Sequence, residues 1–161
     1  MLRKTLIGCG IVGTLLWIFG DFSAAMRYEG YSMLELSVSE LSAIGAPTRP
    51  YLLALLFIDN LFMLAFSVGI WLVAGEKRGL RIAAALQFVL GILSFVVGII
   101  NFFRPFAAMH TREELATAGA SASTDTMHLV FVGITVLVIL LSIGFASGAF
   151  GRKWRVFSWS L

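Results

Sequence analysis

An all-α, polytopic transmembrane helix bundle is the fold class this sequence predicts, and three observations predict it. Hydrophobic residues make up 59% of the chain and charged residues only 13%, whereas soluble domains hold roughly 45–50% and about 25%. The apolar residues gather into four long runs, each close to the roughly 20 residues needed to cross a hydrocarbon core about 30 Å thick. The charges fall between those runs, basic and acidic in alternation. A soluble fold of 161 residues has too little interior to hide so much apolar surface, so the bilayer is the natural solvent.

The first run extends from Thr5 to Gly20 and can continue through "FSAAM". Arg3 and Lys4 before it and "SAA" after it give the layout of a secretory signal peptide. Three further spans follow, which favours an uncleaved helix over residues 5–21. "LIGC" at Leu6 to Cys9 has no apolar region before it, as a lipoprotein signal would need. The second, third and fourth spans are expected over residues 51–75, 80–103 and 127–150. A fifth apolar run starts at Val156 and stops at once, so a single transmembrane domain, 1–161, is expected to be incomplete at its C-terminal side. Trp17, Tyr51, Trp71, Phe102 and Trp154 stand near span ends as interface anchors. Ser94 with Gly98, and Gly144 with Gly148, have the small-xxx-small spacing that lets helices approach, although glycine is common in membrane helices generally. "ATAGASAST" (116–124) reads as a flexible loop.

Orientation follows from the basic residues. Arg3, Lys4, Lys77, Arg78, Arg81, Arg152, Lys153 and Arg155 occupy short segments and account for eight of the twelve. The longer connections, 21–50 and 104–126, carry four basic residues against seven acids. Basic residues are retained on the cytoplasmic side. The N-terminus is therefore expected to be cytoplasmic and both long connections external, in the cytoplasmic membrane. The net charge of +3 is scattered, with no phosphate loop and no finger spacing, which excludes a nucleic-acid partner. The single cysteine, Cys9, excludes an internal disulfide.

With this orientation the unusual polar residues share one side. Asp59 and Asn60 enter the second span from its outer end, about 13 Å deep by helical rise. Asn101 stands at the outer end of the third span, His110 in the outer loop, and Asp125 and His128 three residues apart on one face of the fourth. An ionisable group within a span is costly and marks a functional site by default. Asp59 also has a structural reading, as a carboxyl paired with Asn60, Asn101 or Arg104. Asp125 or Thr124 can equally cap the fourth helix. His110, Asp125 and His128 together offer the three ligands that a catalytic zinc takes besides its water, although their spacing matches no established zinc motif.

"SELSAIGAPTRP" (39–50) is the polar interruption between the first two spans. Ser37-x-x-Glu40 has capping-box spacing, predicting a short helix through Ile44, closed by Gly45 in a left-handed conformation and halted by Pro47. Leu34, Val38 and Leu41 would form its apolar face, with Glu40 as cap.

"GYSMLELSVSELSAIGAPTRP" (30–50), "MHTREE" (109–114) and "TDTMHLVFVGITVLVILLSIGF" (124–145) resemble the bacterial and archaeal membrane family called domain of unknown function 998. That resemblance implies about six spans, of which this chain holds four and the start of a fifth. It assigns no activity. A more distant likeness, to membrane hydrolases such as alkaline ceramidases, implies Asp125, His128 and His110 around a metal with Ser39 or Glu40 at the mouth. The His-x-x-x-His element of that group is missing here. Three functional expectations result. The outward-facing polar site, Glu40, Asp59, Asn60 and Asn101, binds a lipid head group or small ligand. Alternatively, a zinc held by His110, Asp125 and His128 hydrolyses a lipid or amide. As a third reading, Asp59 serves a transporter.

Overall fold

Runs of leucine, valine, isoleucine and phenylalanine wind into helices because, in lipid, a segment must satisfy its own backbone hydrogen bonds. A computed structural model describes residues 1–118 and 122–150. Its long helices are α1 (Leu2–Ala25), α2 (Arg49–Ala74), α3 (Arg78–Phe103) and α5 (Ala122–Ser147), with a short α4 (Arg112–Ala118) before the last. Each long helix has 24 to 26 residues, or about 36–39 Å at the usual rise. All four are long and apolar enough to cross a membrane. The helices run past the apolar stretches into flanking polar sequence. Thus α5 starts at Ala122 and winds "STDT" into its first turns, which places Asp125 inside the helix instead of at its cap.

The spans stand side by side in chain order: α1 packs on α2, α2 on α3, and α3 on α5. Among the described residues α1 and α5 do not meet. The result is one layer of helices, and Leu129, Leu137 and Leu140 on α5 remain 70%, 57% and 61% exposed to the lipid phase. Such surface is stable only in hydrocarbon, and the protein is an integral, multi-pass membrane protein.

Close approach between α1 and α2 is made by Gly10, Gly13 and Gly69. A methyl placed on Gly69 of α2 would lie 2.9 Å from the backbone carbon of Leu6 and 3.0 Å from the nitrogen of Ile7. On α1, Gly10 receives the ring of Phe66 at 2.7 Å and Gly13 receives Asp59 Oδ1 at 2.9 Å, both measured from the absent methyl position. Around Gly98 there is open space, so the Ser94–Gly98 pair is not a packing seam. Spacing alone cannot distinguish a helix face turned to protein from one turned to lipid.

Arg3, Lys4, Lys77, Arg78 and Arg81 mark one end of the layer, the basic end. There Arg81 lies over the Trp71 ring at 6.0 Å and Lys77 over Phe150 at 5.4 Å. The opposite, capped end carries the two long connections. Trp154, the last basic cluster, the apolar run from Val156 and the middle of "ATAGASAST" lie outside the described residues.

Candidate functional site

The capped end is built on Leu41, which is buried with Ala24 and Leu52 between the end of α1 and the start of α2. Tyr28, Tyr31 and Tyr51 pack around it. Burial pushes the phenols of Tyr28 and Tyr31 above their ordinary value, with Glu40 adding to the shift. The segment from Val38 to Ser42 is a 3₁₀ turn instead of a longer helix. Leu34 and Val38 are exposed, so Leu41 alone inserts. Gly45 does adopt a positive φ of 91°, and Thr111 and Glu114 press against the space where a side chain would stand.

The predicted capping box does not form. Ser37 makes no side-chain cap bond; its carbonyl takes the Glu40 amide at 3.0 Å. Glu40, only 4% exposed, instead accepts the amide of Arg112 at 3.0 Å, joining two loops 72 residues apart. Beside it the Ile44 amide donates to Met109 at 2.7 Å and the Thr111 amide donates to Ile44 at 2.9 Å. Those bonds form a single β-bridge between Ile44 and His110. The polar interruption of the sequence is thus one half of a clasp closed by that single bridge.

The clasp is tied down to α5 and α3. Asp125 Oδ1 accepts the His110 amide at 2.8 Å, and its Oδ2 meets His110 Nδ1 at 2.8 Å. An ionised carboxylate only accepts, so His110 Nδ1 donates in this bond. Asn101 accepts from the amides of Phe106 and Ala107 at 2.8 and 2.9 Å and donates to the Ala107 carbonyl at 3.2 Å, which folds the chain back after α3. His128 Nδ1 points at the same carbonyl from 3.4 Å. Arg49 donates to the carbonyls of Ser42 and Asn101 at 2.5 and 3.0 Å, and so links both connections.

The residues singled out from sequence therefore separate into two groups. Glu40, Asn101, His110, Asp125 and His128 belong to the clasp, where Glu40, Asn101 and Asp125 accept backbone amides and the His110 ring pairs with Asp125. His110 and Asp125 form a pair, while His128 turns to a carbonyl. Among the described residues no three His, Cys, Asp or Glu side chains gather as a metal site. Asp59 and Asn60 lie elsewhere, within α2, with Asp59 against Gly13 of α1. Asn60 donates to Leu56 at 3.0 Å, and Asp59 Oδ1 is enclosed without a hydrogen-bond partner among the described residues. Neither Asn60, Asn101 nor Arg104 supplies that partner.

Sequence reasoning missed a hollow of about 500 Å³ between the end of α3 and the start of α5. It is lined by Ile100, Arg104, Pro105, Phe106, Ser123, Thr124 and Met127. Among the described residues, the exposed Arg104 guanidinium is neither hydrogen-bonded nor ion-paired. Thr124 Oγ1 is buried and has no hydrogen-bond partner among them either. The signal available was "FFRPF" closing one span and "STDT" opening the next. Its two halves meet only once Asn101 has folded the loop.

No curated protein and no solved structure matches the chain. A family model described as "Protein of unknown function (DUF998)" matches residues 11–161, nearly the whole chain. The helical layer, the clasp and the hollow are thus features of a chain that belongs to the DUF998 family of proteins of unknown function.

Proposed function

We propose that this protein binds the phosphate-bearing head group of a phospholipid from the outer leaflet of the cytoplasmic membrane, without turning it over. The basic end faces the cytoplasm by the retention of Lys and Arg on that side, which puts the hollow at the external interface. The observation that carries the reading is the lining of the hollow. Among the described residues the lining offers a cation, Arg104, and a hydroxyl without a hydrogen-bond partner, Thr124, together with the apolar Ile100, Phe106 and Met127. Guanidinium matches phosphate in charge and bidentate geometry. The apolar floor suits the start of an acyl chain, and Phe102 and Phe103, 62% and 82% exposed, place aromatic rings at the same level. The His110–Asp125 pair fixes the loop that carries Pro105 and Phe106 and serves as a positioning device.

Arg104→Gln should weaken binding of phosphatidylglycerol to the delipidated full-length chain about tenfold, the loss of one charge-assisted bond. Binding of diacylglycerol with the same chains should be unchanged. Native mass spectrometry across a lipid titration measures both. Equal affinities of wild type and variant for phosphatidylglycerol would refute the reading.

A further inference from the structure

Asp59 sits ten residues beyond Arg49 and fifteen before Ala74, near the middle of α2. The residue facing it is Gly13, near the middle of α1. A methyl on Gly13 would stand 2.9 Å from Asp59 Oδ1 and 3.3 Å from Met63 Sδ, so the missing side chain is what makes room for the carboxyl. Oδ1 is enclosed there with no partner among the described residues. Two neighbouring polar side chains are already used: Thr14 donates to Gly10 at 2.9 Å and Asn60 to Leu56 at 3.0 Å.

Among the described residues no cation faces it either. On α1 the titratable groups are Arg3, Lys4, Cys9 and Asp21; the first two lie at the basic end, and Asp21 is two turns beyond Gly13 toward the capped end. On α3 they are Arg78 and Arg81, also at the basic end, and nothing titratable follows through Phe103. On α2 itself, Arg49 is bonded to the carbonyls of Ser42 and Asn101, and Tyr51 to Ser23. A carboxylate within a span, with one oxygen enclosed and unpartnered and no counter-ion among the described residues, is costly, and the smallest species that removes the cost is a proton. If the only need were packing, leucine or asparagine would fill the notch without it.

We propose that Asp59 is a proton-binding site within the membrane, held neutral in the notch of Gly13 and able to release and recover its proton through the α1/α2 interface. The step is one O–H bond broken or formed at the carboxyl, the proton being exchanged with water. This site is independent of the hollow at the capped end. A membrane-soluble carbodiimide tests it, since that reagent modifies the protonated carboxyl in an apolar setting. With the full chain in liposomes, the adduct should map to Asp59, decline as pH is raised, and fall to background in Asp59→Asn. Asp59→Glu, which keeps the acid, should restore it. Infrared spectroscopy gives a second reading free of reagent access: a protonated-carboxyl stretch present in the wild type and lost in Asp59→Asn. If residue 59 stays unmodified and that stretch does not depend on it, Asp59 is ionised or exposed and the proposal is wrong.

Discussion

Gly69→Val should separate α1 from α2 and sharply lower the stability of the bundle. The added carbons would meet Leu6 and Ile7 backbone at 2.9 and 3.0 Å, atoms that no rotamer change can move. Overpacking of this kind costs typically about 1–3 kcal/mol. Here it also disturbs the neighbouring fits of Phe66 into Gly10 and Asp59 into Gly13. Association within a bilayer depends on such van der Waals contact because lipid is as apolar as the side chains. Thermal unfolding in detergent should register the loss. Gly98→Val is the matched control: with open space around the position, it should change stability by about 0.5 kcal/mol or less. Equal effects at the two positions would mean that α1 and α2 do not pack as described.

The second large effect is expected at Asp125. Asp125→Ala removes the acceptor of two bonds, to the amide and to Nδ1 of His110, both 2.8 Å. The pair is mostly enclosed, with side chains 16% and 22% exposed. Bonds to a charged group contribute about 1.5–3 kcal/mol each, and a buried donor left alone costs more than one that never had a partner. The clasp should therefore loosen by about 2–4 kcal/mol while the spans remain inserted. Hydrogen exchange reads this directly, through faster exchange at the amides of Ile44, His110, Thr111 and Arg112, with α1 and α2 unchanged. Asp125→Asn, which keeps one acceptor, should fall between the two. Faster exchange spread evenly over all helices would contradict the assignment of Asp125 to the clasp.

The two predictions mark where sequence was informative. The helices were legible because each span has to satisfy its backbone and its apolar surface by itself, which leaves the evidence for it in one contiguous run. The capped end was legible only in part. "SELSAIGAPTRP" announced a stop, and Gly45 has the positive φ that the sequence required. The Ser37–Glu40 spacing pointed to the wrong partner, because Glu40 answers to Arg112, 72 residues on. No local pattern encodes that. Likewise, Asn101 looked like a polar residue inside a site and proves to be the folding point of a loop. His128 shares a helix face with Asp125 yet turns to Ala107, so helical periodicity brought together residues whose side chains part. The hollow needed Arg104 and Thr124 from two spans to meet, and neither residue is conspicuous by itself. Asp59 was conspicuous, but its partner is a glycine, which offers sequence reasoning no chemistry to find.

The central claim is that phospholipid phosphate settles between α3 and α5 at the capped end, and cross-linking tests it most directly. A phospholipid with a photoactivatable group on its head group would be irradiated with the full chain in liposomes and the adducts mapped by mass spectrometry. The account predicts adducts concentrated on the segments holding Ile100 to Phe106 and Ser123 to Met127, suppressed by unlabelled phosphatidylglycerol but not by diacylglycerol. Adducts spread evenly along the lipid-facing residues of α5, or unaffected by phosphatidylglycerol, would contradict it.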